Sequence, residues 1–161
     1  MSLTFYLDKG ASLDPAAPCL TLDGTTLSYG DVVELSHSVA RALRRSGVAP
    51  GDKVGILSAN DPTAFSCVFG IARAGAVWCP INPRNAAGET AELLDLFDCT
   101  TLIYQPSFDG LVAEIAPDLP QLTTLVRLGD PGPDGRAEAF DAWLDAALAS
   151  VDRGLGAPEP A

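Results

Sequence analysis

Lysine and arginine are scarce in this sequence, which has 10 of them against 21 aspartates and glutamates, for a net charge of −11 at pH 7. A nucleic-acid interface needs clustered basic side chains that neutralise phosphates, so we expect no nucleic-acid partner. The only basic cluster is Arg41, Arg44 and Arg45, late in a predicted helix. Cations are favourable at that end of the helix dipole. We interpret the cluster as a solvated helix end, with a site for an anionic partner as the alternative.

Histidine and cysteine are also rare, and their spacing excludes several kinds of site. The single histidine, His37, falls on a helix face away from the apolar stripe, and no serine has the G-x-S-x-G pattern of a nucleophile elbow. The four cysteines are far apart without a C-x-x-C pair, so neither a zinc site nor a disulfide framework is indicated. Free cysteines are typical of a reduced cytoplasm, which is the predicted location. We predict no catalytic, cofactor-binding or metal-binding residue.

No apolar run predicts a transmembrane helix. The longest, at 64–81, is interrupted by Arg73, and the stop signal at Gly75 divides it into a helix and a strand. The N-terminus lacks the basic, apolar, small-residue order of a secretory signal. We therefore expect a soluble protein without a transmembrane segment.

What the sequence does have is a regular alternation of strand and helix signals. The pair Asp23-Gly24 predicts a tight hairpin turn, Ser28 with Asp31 predicts a capping box, and Asp61-Pro62 predicts another helix start. The first dozen residues are weakly patterned and predict no element. The predicted elements are a β-hairpin at 19–27, helices at 28–47, 62–74, 88–98, 108–116 and 137–149, and strands at 53–57, 76–81, 101–104 and 122–128.

This alternation predicts an α/β fold: an open parallel sheet with helices on both faces, plus the N-terminal β-hairpin. The helix at 62–74 is apolar nearly all round, Phe65 included, and is expected to be largely buried. In the helix at 88–98, Leu93, Leu94 and Phe97 are expected to point inward. We assign 1–150 to one α/β subdomain and 151–161, which is rich in glycine and proline, to a linker.

Ligands of such sheets bind beyond the carboxyl ends of the strands, which here are the loops at 58–61, 82–85, 105–108 and 129–135. None has a dinucleotide or Walker A glycine pattern, and Asp61 would occupy the helix N–H groups and repel an anion. Arg84 is the one candidate substrate-binding residue, because a guanidinium can pair with a phosphate or carboxylate. The alternative, which we favour, is that Arg84 holds a neighbouring subdomain through an acidic residue.

Several segments, in order, carry a resemblance to a known family. Leu-Ser-Tyr-Gly-Asp at 27–31 is similar to the family's helix start L-T/S-Y-x-E-L, and 47–57 to its G-V-x-x-G-D-x-V-x-x-L turn and strand. Asn60 falls on the asparagine that closes that strand, and 72–84 is similar to A-x-x-x-A-G-A-x-x-x-P-x-N-P. From about residue 18 to 128 the chain resembles the N-terminal region of the adenylate-forming (AMP-binding) acyl-CoA synthetases, which include luciferases and peptide-synthetase adenylation domains. The Asn-Pro-Arg ending is most like fatty-acyl-CoA ligases.

The resemblance implies a parent enzyme that uses ATP, Mg²⁺ and CoA. A carboxylate, here a fatty acid by resemblance, attacks the α-phosphate of ATP to give an acyl-adenylate, and a thiol then displaces AMP. The family's Ser/Thr/Gly-rich phosphate loop, ribose-binding aspartate and C-terminal lysine have no match in this chain, nor do the CoA-contacting arginines, since 105–111 contains none. We therefore expect an N-terminal fragment that is inactive alone, binds none of these cofactors and has the remainder of the synthetase as its partner.

Two other hypotheses remain open from the sequence. One is a stand-alone, non-catalytic binding or dimerisation module, for instance a homodimer formed through the N-terminal segment. The other is an unrelated nucleotide-binding α/β domain, against which the missing glycine fingerprint argues. The acyl substrate and its chain length have no signal here.

Overall fold

A five-stranded, entirely parallel sheet forms the centre of the computed structural model, which describes residues 2–154, with side chains to residue 151. Its strand order is β4-β3-β5-β6-β7. A separate antiparallel hairpin, β1–β2, precedes it. The strands are β1 (Pro18–Leu22), β2 (Thr25–Ser28), β3 (Lys53–Leu57), β4 (Val77–Ile81), β5 (Cys99–Tyr104), β6 (Thr124–Arg127) and β7 (Glu138–Ala139).

Helices cover both faces of this sheet, as the sequence predicts. Side chains alternate between faces along a strand, so Ile103 joins one core while Leu102 and Tyr104 join the other. The first core is closed by α2, α3 and α6, and the second by α4 and α5. The helices are α1 (Leu3–Leu13), α2 (Tyr29–Arg45), α3 (Pro62–Arg73), α4 (Ala87–Leu96), α5 (Asp109–Ile115) and α6 (Phe140–Gly154).

The hairpin turn and the two helix caps that the sequence predicts are present in the structure. Asp23 and Gly24 both have positive φ, 49° and 79°, which is what the hairpin turn requires. At the start of α2, the Asp31 N–H donates to Ser28 Oγ at 3.1 Å and the Ser28 N–H donates to Asp31 Oδ2 at 2.8 Å. The Ala64 N–H donates to Asp61 Oδ1 at 2.8 Å and caps α3.

The core that α2, α3 and α6 close is tightly packed where α2 crosses α3. A Cβ added at Gly70 would lie 2.5 Å from Val39 Cβ, so only glycine permits this approach. Trp143 of α6 is fully buried on the same side, and its Nε1–H donates to Ser46 Oγ at 2.8 Å. These contacts make the three helices of this face one continuous core.

The N-terminal residues differ from the sequence prediction, because residues 3–13 form helix α1 and not an unpatterned segment. Only Leu7 of α1 is buried, while Phe5, Tyr6 and Leu13 are exposed. The helix lies against α2 and α3, and Asp8 forms an ion pair with Arg73. Its apolar residues do not form a single inward stripe, which explains why the periodicity did not indicate a helix.

Three further expectations about the elements were wrong. Phe65 of α3 is 48% exposed and Phe97, after α4, is 43% exposed, so neither is a core residue. The predicted helix at 137–149 begins instead at Phe140, after the two-residue strand β7, and continues to Gly154. Residues 151–154 of the predicted linker are thus the last turn of α6, and the rest of that linker lies outside the described residues.

None of the helices in the described range is both long enough and apolar enough to cross a membrane.

Candidate functional site

The sheet has one topological switch point, between β3 and β5. The chain leaves β3 toward α3 on one face and leaves β5 toward α5 on the other, so the two loops separate and open a crevice. Such a crevice is the usual ligand position in an open α/β sheet. A cavity of about 500 Å³ lies at this end of the sheet, and its lining includes Asp61, Gln105 and Asp141.

Gln105 bridges the two strand ends at this crevice. Its backbone N–H donates to the Leu57 carbonyl at 3.1 Å, and its Oε1 accepts from the Ala59 N–H at 2.8 Å. These two hydrogen bonds tie the first residue after β5 to the end of β3, beside the crevice, before the two loops diverge. The sequence does not predict this pairing, because the two residues are 46 positions apart.

The electrostatics of the crevice do not suit a triphosphate. Asp61 caps α3 and Asp141 lies in the first turn of α6, so carboxylates occupy both helix N-termini. The residues that line the cavity include no lysine or arginine. Within residues 2–154 there is also no group of three histidine, cysteine, aspartate or glutamate side chains that could hold a metal ion. This cavity accordingly does not fit an ATP–Mg²⁺ site.

Arg84 lies in the exposed loop after the edge strand β4. Its backbone N–H donates to Asn82 Oδ1 at 2.9 Å, and no ion pair of its guanidinium is found in the described part of the chain. It does not line the crevice, because β4 is the outer strand of the sheet and the crevice opens between β3 and β5. Among the residues that the structure describes, Arg84 is thus a cation at the sheet edge without an ion-pair partner.

An apolar groove of about 460 Å³ runs along the same edge. It lies between the hairpin, α3 and β4. Its apolar lining includes Leu20, Leu22, Phe65 and Trp78, and the polar loop 58–61 also borders it. Trp78 is 40% exposed and Phe65 about half exposed. Large aromatic side chains exposed side by side mark interaction surfaces more often than scattered single residues do.

The outer edge of β4 is poor in hydrogen-bond donors. The Val77 N–H donates to the Asp52 carbonyl at 2.8 Å, toward β3, so by alternation Trp78 and Pro80 present their backbone outward. Proline has no N–H, which limits the pairing of a further strand at this position. The groove therefore favours side-chain packing by a partner over the extension of the sheet.

Two buried cysteines and the histidine lie outside the crevice, and the pKa values of the cysteines are shifted away from activation of a thiolate. Burial raises the pKa of the Cys67 thiol and raises the pKa of Cys99 to about 12, so both are protonated at neutral pH. Partial burial, with Arg73 nearby, lowers the pKa of the exposed His37. These directions match the role of cysteine as a small core residue and of histidine as a surface residue.

One charged pair at a strand end is not evident from the sequence. Arg127, at the end of β6, donates from Nε and Nη2 to the two oxygens of Asp109 at 2.8 and 2.9 Å. It also donates to the Asp130 carbonyl. The only sequence signals are a basic residue that closes a strand and an acidic residue in the first turn of a helix. Neither signal indicates that the two side chains meet.

The comparisons with known proteins agree with this fold. A protein-family model described as AMP-binding enzyme matches residues 7–154. The fatty acid–[acyl-carrier-protein] ligase ScoC of Streptomyces coeruleorubidus is 33% identical over 133 residues, which are 83% of this chain and 24% of that protein. The indoleacetate–CoA ligase of Aromatoleum aromaticum is 31% identical over 153 residues, 95% of this chain and 29% of that protein.

The solved structures give the same architecture. The anthranilate–CoA ligase AuaEII superposes with a TM-score of 0.85 at 24% identity, over 91% of this chain and 28% of that one, which supports the fold alone. This chain thus spans about a quarter of the length of the relatives that it matches.

Proposed function

Because the chain belongs to the AMP-binding enzyme family, we propose that it is the N-terminal portion of an ATP-dependent acyl-CoA synthetase. The family assignment excludes an unrelated nucleotide-binding α/β domain. In the proposed parent reaction a carboxylic acid, most simply a fatty acid, forms an acyl-adenylate with release of pyrophosphate, and the thiol of CoA then displaces AMP. The parent would use ATP, CoA and Mg²⁺ and act in the cytoplasm. Relatives named as fatty-acid and acyl-CoA ligases support this proposal.

We further propose that this chain serves as a structural subdomain and does not bind these cofactors by itself. The single observation that carries this view is the acidic crevice at the switch point, where Asp61 and Asp141 occupy both helix N-termini. Phosphate groups need cationic or N–H donors at such a position. Chemistry at this end of the sheet would have to be supplied by other parts of the parent, beyond a linker proposed after α6.

The exposed groove is the proposed contact surface for those parts. Phe65 and Trp78 both line the groove, and about half of Phe65 and 40% of Trp78 stay exposed in the described chain. Burying such aromatic surface stabilises an interface by about 25 cal/mol per Å². The remainder of the synthetase is the partner that a fragment of this family would have.

A pyrophosphate-release assay tests this proposal. The 161-residue chain, supplied with ATP, Mg²⁺, CoA and mixed fatty acids, is expected to release no pyrophosphate above a protein-free control. The polypeptide extended along its genomic reading frame is expected to do so. Turnover by the short chain alone, or a reading frame that stops after residue 161, would contradict the proposal.

Arg84 gives a second test, made in the extended polypeptide. If it binds an anionic substrate group, Arg84→Ala should raise the KM of that substrate about tenfold and leave the Tm unchanged, since a charge-assisted hydrogen bond contributes about 1.5–3 kcal/mol. If it instead holds a neighbouring subdomain, the Tm should fall and the KM values should stay the same. Arg45→Ala, at an exposed arginine at the end of α2, is the matched control.

A second candidate function is a non-catalytic dimerisation module, favoured by the outer face of α1. Phe5, Tyr6 and Leu13 are exposed there, which is unusual for a helix whose inner face buries only Leu7. Analytical ultracentrifugation of the chain would detect a homodimer. The Tyr6→Ser, Leu13→Ser double variant should then be monomeric, and a wild-type chain that is already monomeric at high concentration would exclude this function.

A further inference from the structure

A small cavity on the second face of the sheet is distinct from both the crevice and the groove. It measures about 190 Å³ and lies between α5 and the loop that follows β6. Its apolar lining comes from Val112, Ala113, Ala116 and Leu125, and its polar lining includes Tyr104, Asp109 and Arg136. For comparison, an engineered apolar cavity of about 150 Å³ binds benzene. The cavity therefore has room for one six-membered ring with a small substituent.

The Tyr104 side chain supplies an unused hydrogen-bond donor to this cavity. Tyr104 is 4% exposed as a residue, and its hydroxyl makes no hydrogen bond within the described residues. The hydroxyl oxygen is not among the fully buried side-chain oxygens that lack a partner, so it meets the open space of the cavity that Tyr104 lines. Burial, with Asp109 and Asp134 nearby, raises the pKa of Tyr104 to about 12. The hydroxyl therefore keeps its proton at neutral pH and is available to donate.

The charges around the cavity cancel, which favours a neutral ligand. Both Asp109 oxygens accept from Arg127, so this carboxylate is already neutralised. At the more exposed side, Arg136 Nε lies 3.9 Å from Asp134 Oδ2. A charged ligand would have to compete with the partly buried Asp109–Arg127 pair, and breaking that pair carries a cost.

We propose that this cavity is a binding site for a small neutral ring compound that carries one hydrogen-bond acceptor oxygen. The ring packs on the side chains of α5 and Leu125, and the acceptor oxygen receives the Tyr104 hydroxyl proton in a hydrogen bond. This site is independent of the proposed ligase function, since none of its lining residues lies in the crevice at the switch point.

Acetophenone is a suitable probe, and ethylbenzene, which has the same carbon skeleton without the oxygen, is its matched control. Binding is followed by NMR on the full chain, through the methyl signals of Val112, Ala113 and Leu125. Acetophenone is expected to shift these signals and to bind about tenfold more tightly than ethylbenzene, which is the factor for one net hydrogen bond. No shift of these signals up to the solubility limit would overturn the proposal.

Two variants and a control complete the test. Tyr104→Phe should weaken acetophenone binding about tenfold and leave ethylbenzene binding unchanged, because only the hydroxyl is removed. Tyr6→Phe, at the exposed tyrosine of α1, should change neither. Ala113→Leu should abolish binding of both probes by filling the cavity, and a Tm within about 4 °C of wild type would show that it folds. Equal affinity of acetophenone for wild type and Tyr104→Phe would overturn the proposal.

Discussion

The two tryptophans of this chain lie on the same side of the sheet in opposite circumstances. Trp143 of α6 is fully buried against α2, packs near Phe140 and donates its indole N–H to Ser46. Trp78 lies on the edge strand β4, is 40% exposed and borders the open groove with Phe65. The difference separates residues that stabilise the fold from residues available for contacts outside it.

The largest expected effect comes from truncating the buried member of the pair. Trp143→Ala should lower the free energy of unfolding by about 3–5 kcal/mol, because it removes a large core side chain and leaves a cavity. Urea denaturation followed by circular dichroism would measure this. Trp143→Phe, which keeps a ring but loses the hydrogen bond to Ser46, should cost about 1–2 kcal/mol. A loss below 1 kcal/mol for Trp143→Ala would contradict the view that this face is the main core.

Helix-capping residues made much of the core around Trp143 predictable from the sequence. Ser28 with Asp31 and Asp61 with Pro62 start α2 and α3 through short-range hydrogen bonds that depend only on neighbouring residues. The burial of Phe65 was mispredicted because a helix that is apolar all round does not indicate which side faces the core. Helix α1 was missed for the opposite reason, since its aromatic residues point outward.

The candidate sites were less predictable, because they depend on contacts between distant positions. Gln105 meets Ala59 only after β3 and β5 pair, and Tyr104 lines a cavity only after α5 and the loop that follows β6 come together. The resemblance in the sequence correctly indicated the family, whose model matches residues 7–154. The cavity beside Tyr104 had no sequence signal.

The next largest effect is expected at the N-terminus of α3, which packs on the same side of the sheet as Trp143. Asp61→Ala removes the oxygen that accepts from the Ala64 N–H at 2.8 Å, and should cost about 1 kcal/mol. Asp61→Asn keeps an acceptor and should cost less than half of that. Chemical denaturation of both variants measures the difference. Equal losses would mean that the charge of Asp61, not its capping oxygen, is what stabilises α3.

A smaller effect is expected at the rim of this core, where Arg73 joins α1 to α2 and α3. Arg73 Nε donates to Ser36 Oγ at 2.7 Å and Nη1 donates to Asp8 Oδ2 at 3.1 Å. Asp8→Asn should cost no more than about 1 kcal/mol at pH 7, because the carboxylate is partly exposed and the ion pair is screened. Asp118→Asn, at an exposed aspartate, is the control.

The pH dependence of this contribution follows from the pKa of Asp8. Hydrogen bonds from Arg73 hold that pKa below its ordinary value of 3.8. The stabilisation should therefore be complete above pH 3.8 and be lost as the pH falls through the lowered pKa. His37 titrates in both proteins, so wild type and Asp8→Asn are compared at each pH. If the two proteins still differed in free energy of unfolding in strong acid, the contribution of Asp8 would not be ionic.

The last comparison concerns the exposed tryptophan, for which the informative effect is a difference between two chains. Trp78→Ser should lower the free energy of unfolding of this chain by about 1–2 kcal/mol, because Trp78 is only 40% exposed and the rest of its surface is packed. If β4 contacts the remainder of a synthetase, the same substitution in the extended polypeptide should cost about 1 kcal/mol more, because apolar surface buried at that contact is lost. Leu96→Ser, at an exposed leucine at the end of α4, should have the same small effect in both. Equal effects of Trp78→Ser in the short and extended chains would mean that the groove faces solvent in both, and that exposure of an aromatic side chain at this edge does not indicate a contact.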